Sequence, residues 1–357
     1  MASNLEQVFF DFSVRFEFGP KERQKFYTKL SQLLENGVSL DAGLMQLSNV
    51  QLRKSSTSVL GKVFGRWRKS VSNGMNFGLV MSPYVPSTEA ILLETGANTG
   101  HLVDALRNAC ETVESQNKVK SAIISSSSYP IMLILMLIAA LVMSTYQVIP
   151  TFSKILPVEE WTGTSAIFAS VAGVIRDYGM IIVINCVTII FLISYSLPRW
   201  THRSRLYFEN IVPWNLYRMW QGSSFLLSIS ALMKAGVKLD EVSLNRITRN
   251  AEPYLMQRVQ AIKRYILSGD NLGDSLFKAG YNFPEEDIIS DLQIYARLRG
   301  FDDNLIRITK TWVDELVIQV QNIMKVVNIF VLFLIATTIG FMISSLYGVV
   351  QQIQDTT

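Results

Sequence analysis

Three stretches of this chain contain no Asp, Glu, Lys, Arg or His and are long enough to cross a bilayer: Tyr129–Ile149, Tyr178–Leu197 and Val326–Gly348. A helix rises 1.5 Å per residue, so about 20 apolar residues cover a hydrocarbon layer about 30 Å thick. Inside that layer every backbone N–H and C=O must bond within its own segment, which leaves the helix as the state for each stretch. The composition agrees: charged residues make up 17% of the 357 residues, against about 25% in ordinary soluble domains.

Three spans place the remaining segments on alternating sides, and the positive charges say which side is which. Lys and Arg number 14 in residues 1–128, 2 in 150–177, 17 in 198–325 and none after 348. Basic residues stay on the cytoplasmic side. The expected topology has a cytoplasmic N-terminus, a cytoplasmic 198–325 region, and an exported 150–177 loop and 349–357 tail.

The two basic regions carry one phrase twice. Residues 31–41 read SQLLENGVSLD and residues 230–240 read SALMKAGVKLD, with Gly37 and Gly236 standing 199 positions apart. In the first copy Pro20 can start a helix with an apolar stripe Phe26, Leu30, Leu33 and Leu34, Gly37 can stop it in a left-handed turn, and Ser39 can cap the next helix. In the second copy the stripe is Phe225, Leu226, Ile229, Leu232 and Met233, with Gly236 as the stop. Each copy continues with a basic amphipathic helix, a turn at Gly74 or Gly269, a short start at Gly78 or Gly273, and a proline-initiated helix. A long helical pattern, from Leu102 or from Leu305, then runs into the first or third span. The fold class is an all-α integral membrane protein with two homologous cytoplasmic bundles, 20–128 and 198–325, and three transmembrane helices. Duplicating a unit with one span would invert its second copy; the middle span, 178–197, restores the side.

Little in this chain points to catalysis. GKVFGRW at 61–67 lacks the spacing and the Ser or Thr of a phosphate loop. Ser125–Ser128 have no neighbouring His or Asp, and read as small polar residues at helix crossings. His101 and His202 have no ligand-spaced companions, so no metal or cofactor is expected. Cys110 and Cys186 form no disulfide framework, Cys186 reading as a small buried hydrophobe. No cleavable signal peptide is read in Met1–Phe18.

Over residues 20–350 the sequence resembles the inner-membrane platform proteins of type IV pilus and type II secretion machines. The resemblance rests on the paired LxxGVxLD phrases, on KSAIISSSSYPIMLILMLIAALVMSTYQVIPTF (Lys120–Phe152) and on TTIGFMISSLYGVVQQI (Thr337–Ile353). The N-terminal extension is short, as in type IVb and plasmid-encoded, conjugative thin-pilus members. The family's G-E-x-x-G turn reads GANTG at 96–100 and ARLRG at 296–300, without its acid, and Asn328 stands where proline is frequent. The resemblance implies a non-enzymatic platform in the bacterial inner membrane, a homo-oligomer with a dimer favoured. It also implies four kinds of partner: a cytosolic hexameric assembly ATPase, pilin or pseudopilin subunits, inner-membrane alignment proteins and the lipid bilayer. Nucleic acid is not among them. A transporter or channel subunit is the alternative; spans free of ionisable residues and without an inverted repeat argue against it.

Three features are candidate functional surfaces. Ala336, Gly340, Ser344 and Gly348 fall four apart on the last span, a face that another backbone can approach, from this chain or from a partner. Pro130, in the K…YP opening of the first span, joins them as a helix-packing position. Arg66, Arg68 and Lys69 in the first copy, and Arg258, Lys263 and Arg264 in the second, form either solvated helix faces or sites for acidic partners or headgroups. In FFDFSVRFEF (9–18) apolar and polar residues alternate with the period of a strand, predicting that residues 1–19 form an extended arm packed on its own bundle or paired with a partner.

Overall fold

A computed structural model describes residues 2–249, 251–296 and 301–356, and these contain helices and turns but no strand. Its contacts divide the chain into two units, residues 1–120 with 198–316, and residues 121–197 with 317–357.

The first unit holds both copies of the repeat. The first copy comprises α1 (Ala2–Glu17), α2 (Pro20–Glu35), α3 (Leu40–Lys54), α4 (Val59–Ser72), α5 (Phe77–Met81), α6 (Ser87–Thr99) and the start of α7 (Leu102–Met143). Pro20 occupies the first turn of α2, where its missing N–H costs nothing. Gly37, at φ 79°, turns the chain out of α2, and the Ser39 hydroxyl accepts from the Ala42 N–H at 3.3 Å to begin α3. Val14, Phe18, Phe26, Phe64 and Trp67 are buried together, with Phe18 5.2 Å from Trp67 and Phe26 4.8 Å from Phe64 between ring centres.

α1 is a helix, which corrects the expected arm. An alternation of period two contains a helical subset of period four: Phe10, Val14 and Phe18 share one face and pack on the core, while Phe12 and Phe16 are exposed. Burial of that one face decides between the two periods.

Beyond α7 the chain makes a wider π-type turn (Ser144–Val148), α8 (Ile149–Phe152) and a loop into α9 (Thr164–Arg199). The second copy follows as α10 (Arg205–Phe208), α11 (Trp214–Lys234), α12 (Glu241–Thr248), α13 (Pro253–Leu267), α14 (Leu272–Ala279), α15 (Glu286–Tyr295) and α16 (Phe301–Thr356). Its turns repeat those of the first: Gly236 and Gly269 take φ 75° and 93°, as Gly37 and Gly74 take 79° and 85°. Gly78 and Gly273 do the same steric work. A Cβ on either would lie 2.2 Å from the Glu94 N or 2.5 Å from the Gln293 N, so the short helix rests directly on the backbone of the next.

In the second unit, α7, α9 and α16 include the only three helices among the described residues long and apolar enough to cross a membrane. α7 passes through buried Pro130 before its π-type turn, whereas α16 runs unbroken for 56 residues. Ser144 and Met342 bring the first and third spans together at 3.7 Å. At one end Trp161, Phe168 and Val349 close a small core, where the Ser165 hydroxyl of α9 donates to the Ser345 carbonyl of α16 and the Ser345 hydroxyl donates to the Thr164 carbonyl. Among the described residues none buries the apolar middle of α9, so Cys186 is exposed there and not the buried hydrophobe expected.

Candidate functional site

The two copies meet along a seam within the first unit. On α7, Glu111 accepts from Lys310 of α16 at 2.8 Å and lies 3.9 Å from Lys234 of α11. Glu111 and Lys310 lie on the last helix of each copy, so the two long helices face each other there. Partial burial raises the Glu111 pKa, but the two lysines outweigh it and hold the carboxyl below its ordinary value. Ala231 and Leu232 of the second copy enter the first copy's core, and Arg246 pairs with Glu94. An open groove of about 690 Å3 runs between the copies, walled by Arg15, Tyr84, Gln116, Phe225, Glu252 and Leu255. Tyr84 donates to Asp11 at 2.9 Å, and burial together with that carboxylate raises its phenol to about 12.

The six basic candidates divide. Arg68 binds Asp41 at 3.0 Å, and at the equivalent place Lys263 binds Glu241 at 2.8 Å; each bridge ties the basic helix to the helix after the glycine turn. Arg66 is exposed, with its guanidinium 3.9 Å from the Phe10 ring centre. Lys69 and Arg264, 195 positions apart as Gly74 and Gly269 are, both remain exposed.

Arg258 corrects the expectation of a partner-facing residue. It is 1% exposed, pairs with Glu209 and lies 3.5 Å from the centre of the Tyr254 ring. Arg205 reaches the same carboxylate at 3.5 Å, and Tyr254 donates to it at 3.0 Å. Burial, with the Arg258 guanidinium alongside, lowers the Arg205 pKa although the Glu209 carboxylate opposes it, and burial raises the Tyr254 phenol. Helical periodicity could not show this, because the counter-ion lies 49 residues upstream. The first copy has its own buried ion group, missed for the same reason: Glu89 accepts from Tyr27 at 2.6 Å and pairs with the Arg23 guanidinium at 3.0 Å. Burial raises the Glu89 pKa while Arg23 and Tyr27 oppose it.

The small-residue stripe also divides. A Cβ on Gly348 would meet the Ser165 hydroxyl at 2.7 Å, whereas nothing among the described residues lies within 4 Å of the same position on Gly340. Ala336 and Ser344 are exposed as well. The face of α16 that packs within the chain carries Val331, Ser345 and Val349. Of the two GxxxG-like turns, 96–100 ends α6 with Gly100 left-handed, while residues 297–300 of the second lie outside the described residues.

Residues 26–150 match the family described as type II secretion system (T2SS), protein F. The chain is also 20% identical over 289 residues to the toxin coregulated pilus biosynthesis protein E of Vibrio cholerae serotype O1, covering 79% of this chain and 82% of that protein.

Proposed function

We propose that this chain, a member of the platform-protein family of type II secretion and type IV pilus machines, is the inner-membrane assembly platform of a pilus. Its role is mechanical and non-enzymatic: a cytosolic hexameric ATPase acts on the paired bundles, and pilin helices leave the bilayer beside the spans. The 31-to-2 division of basic residues between the two sides supports placing both bundles in the cytoplasm, with the tail after 348 exported.

The observation that carries this proposal is the joining of the two copies into one body whose last helices, α7 and α16, continue into spans. A displacement imposed on the bundles then has a helical route toward the bilayer. Lys69 and Arg264, exposed at equivalent positions of the two copies, offer a pair of cationic contacts to an acidic face of the motor. Gly340, with Ala336 and Ser344, offers a span or a second protomer a close approach. Alignment proteins of the inner membrane and a dimeric arrangement belong to the same proposal.

Photoreactive residues at Lys69, Arg264 and Gly340, introduced singly in cells making fibres, test it. The first two are expected to capture the ATPase, and Gly340 to capture pilin or a second copy. Normal fibre assembly with no ATPase adduct from either cytosolic position would contradict the proposed docking.

A further inference from the structure

The chain that leaves the second span exposes an apolar patch where it enters the second bundle. Leu206, Tyr207, Phe208, Ile211 and Val212 are all exposed, Tyr207 at 84%. Such side chains on a cytosolic surface cost solubility unless something covers them. They are held there firmly, because the opposite face of the same segment buries Arg205 and Glu209 in the ion group with Arg258 and Tyr254. The buried ions anchor this turn, and the exposed apolar residues point away from that anchor.

The cover is identified by position and charge. α9 ends at Arg199, and Arg203 follows four residues later. A fully extended chain covers at most about 3.6 Å per residue, so Arg203 cannot lie more than about 14 Å along the chain from the end of the spanning helix. The headgroup layer is about 5–8 Å deep on each side, so Arg203 lies in it or within several ångströms of its outer edge. Arg199, His202 and Arg203 are exposed there, and Arg203 has no acidic partner among the described residues. An open notch lies beside the patch, lined by His202, Arg203, Ser204, Tyr207, Gly280 and Tyr281 and containing no carboxylate. Aromatic rings next to cations at the end of a span match the chemistry of the bilayer interface. A notch with an arginine and a histidine, and no acid, matches a phosphate.

We infer that residues 199–212 form an interfacial anchor that docks the second bundle on the membrane, its apolar side chains among the acyl ends and its notch on an anionic phospholipid headgroup. This inference requires that 178–197 spans the bilayer, but needs neither the motor nor pilin. It can therefore fail without the proposed function failing, and the reverse.

The test uses the full chain with Cys110 and Cys186 replaced by Ser and a single fluorescent label at Tyr207→Cys. Nanodiscs would contain lipids spin-labelled near the headgroup, in either phosphatidylcholine alone or a mixture with phosphatidylglycerol and cardiolipin. The anchor predicts quenching in both, stronger in the anionic mixture. Arg203→Glu is expected to weaken that anionic preference at least about fivefold, the effect of removing one basic residue at a charged surface. Tyr207 and Arg203 are exposed, so unchanged thermal unfolding of both variants is expected and separates docking from folding. Equal quenching in the two lipids would overturn the headgroup assignment. Absence of quenching in both would overturn the anchor and leave the patch to a protein partner.

Discussion

The two bundles share a frame and differ in what fills it. Gly37 and Gly236 make the same left-handed exit, Gly78 and Gly273 the same backbone approach, and Arg68–Asp41 and Lys263–Glu241 the same tie. Inside the frame both copies bury an ion group beside aromatic rings. The first pairs Glu89 with Arg23 and adds Val14 and Phe18 to the rings of α2 and α4, whereas the second places Glu209 between Arg205 and Arg258. Val63, buried in the first copy, is replaced by Arg258 at the equivalent position of α13. Turns impose a backbone conformation that few residues can satisfy. A core imposes volume and polar satisfaction, which many combinations meet. The difference also follows the chain entering each bundle: α1 brings Val14 and Phe18, while the segment after the second span brings Arg205 and Glu209.

Removing the pieces that differ gives the largest expected effects. Glu209→Gln leaves two buried guanidiniums without their carboxylate and should destabilise the second copy by about 3–5 kcal/mol. Trp67→Ala should cost the first copy a similar amount, about 3–5 kcal/mol, through a cavity among the rings. Hydrogen exchange in detergent micelles distinguishes them: protection should fall first in α13 for Glu209→Gln and in α4 for Trp67→Ala. Loss in the same helices for both variants would mean that the copies do not fill independently.

Disturbing the shared frame should give intermediate and matched effects. Gly78→Ala and Gly273→Ala each push a methyl into the backbone of the next helix, at an expected cost of about 1–3 kcal/mol. Thermal unfolding of the two variants should shift alike. Tolerance of one and not the other would break the equivalence.

The smallest effects lie at the helix starts. Ser39 caps α3, but Lys238 holds the equivalent position and Asp240 caps α12 two residues later. Ser39→Ala should cost about 1 kcal/mol and Lys238→Ala almost nothing. Hydrogen bonds from the backbone and side chain of Ser243 hold the Asp240 carboxyl below its ordinary value. A lowered folded pKa contributes stability above the unfolded value, about 3.9, and loses it as pH falls through the folded one. The effect of Asp240→Ala on thermal unfolding should therefore vanish in acid, while that of Ser39→Ala persists.

The three long apolar helices and the paired glycine turns were legible from sequence because each rests on a local requirement. An uncharged apolar run of 20 residues has few alternatives to a spanning helix, and a glycine after an apolar stripe marks a stop in either copy. The α1 helix was not legible, since Phe10, Val14 and Phe18 fit both periods until a partner face selects one. Arg258 was misread because its environment comes from Glu209, brought near only by the fold. The small-residue stripe was legible as a pattern but not as a contact: a Cβ on Gly348 would meet Ser165, while one on Gly340 would meet nothing within 4 Å among the described residues. The Glu111–Lys310 seam lies on two helices whose pairing no local pattern in either one reveals.

The central claim is that two copies of one module stand on the same, cytoplasmic side of the membrane. Single cysteines at Lys69, Arg264 and Gln351, in a chain otherwise free of cysteine, test it with an impermeant thiol reagent on intact cells. Lys69→Cys and Arg264→Cys should stay unlabelled until the membrane is permeabilised, while Gln351→Cys should react at once. Labelling of either Lys69→Cys or Arg264→Cys on intact cells would place that module outside and contradict the account.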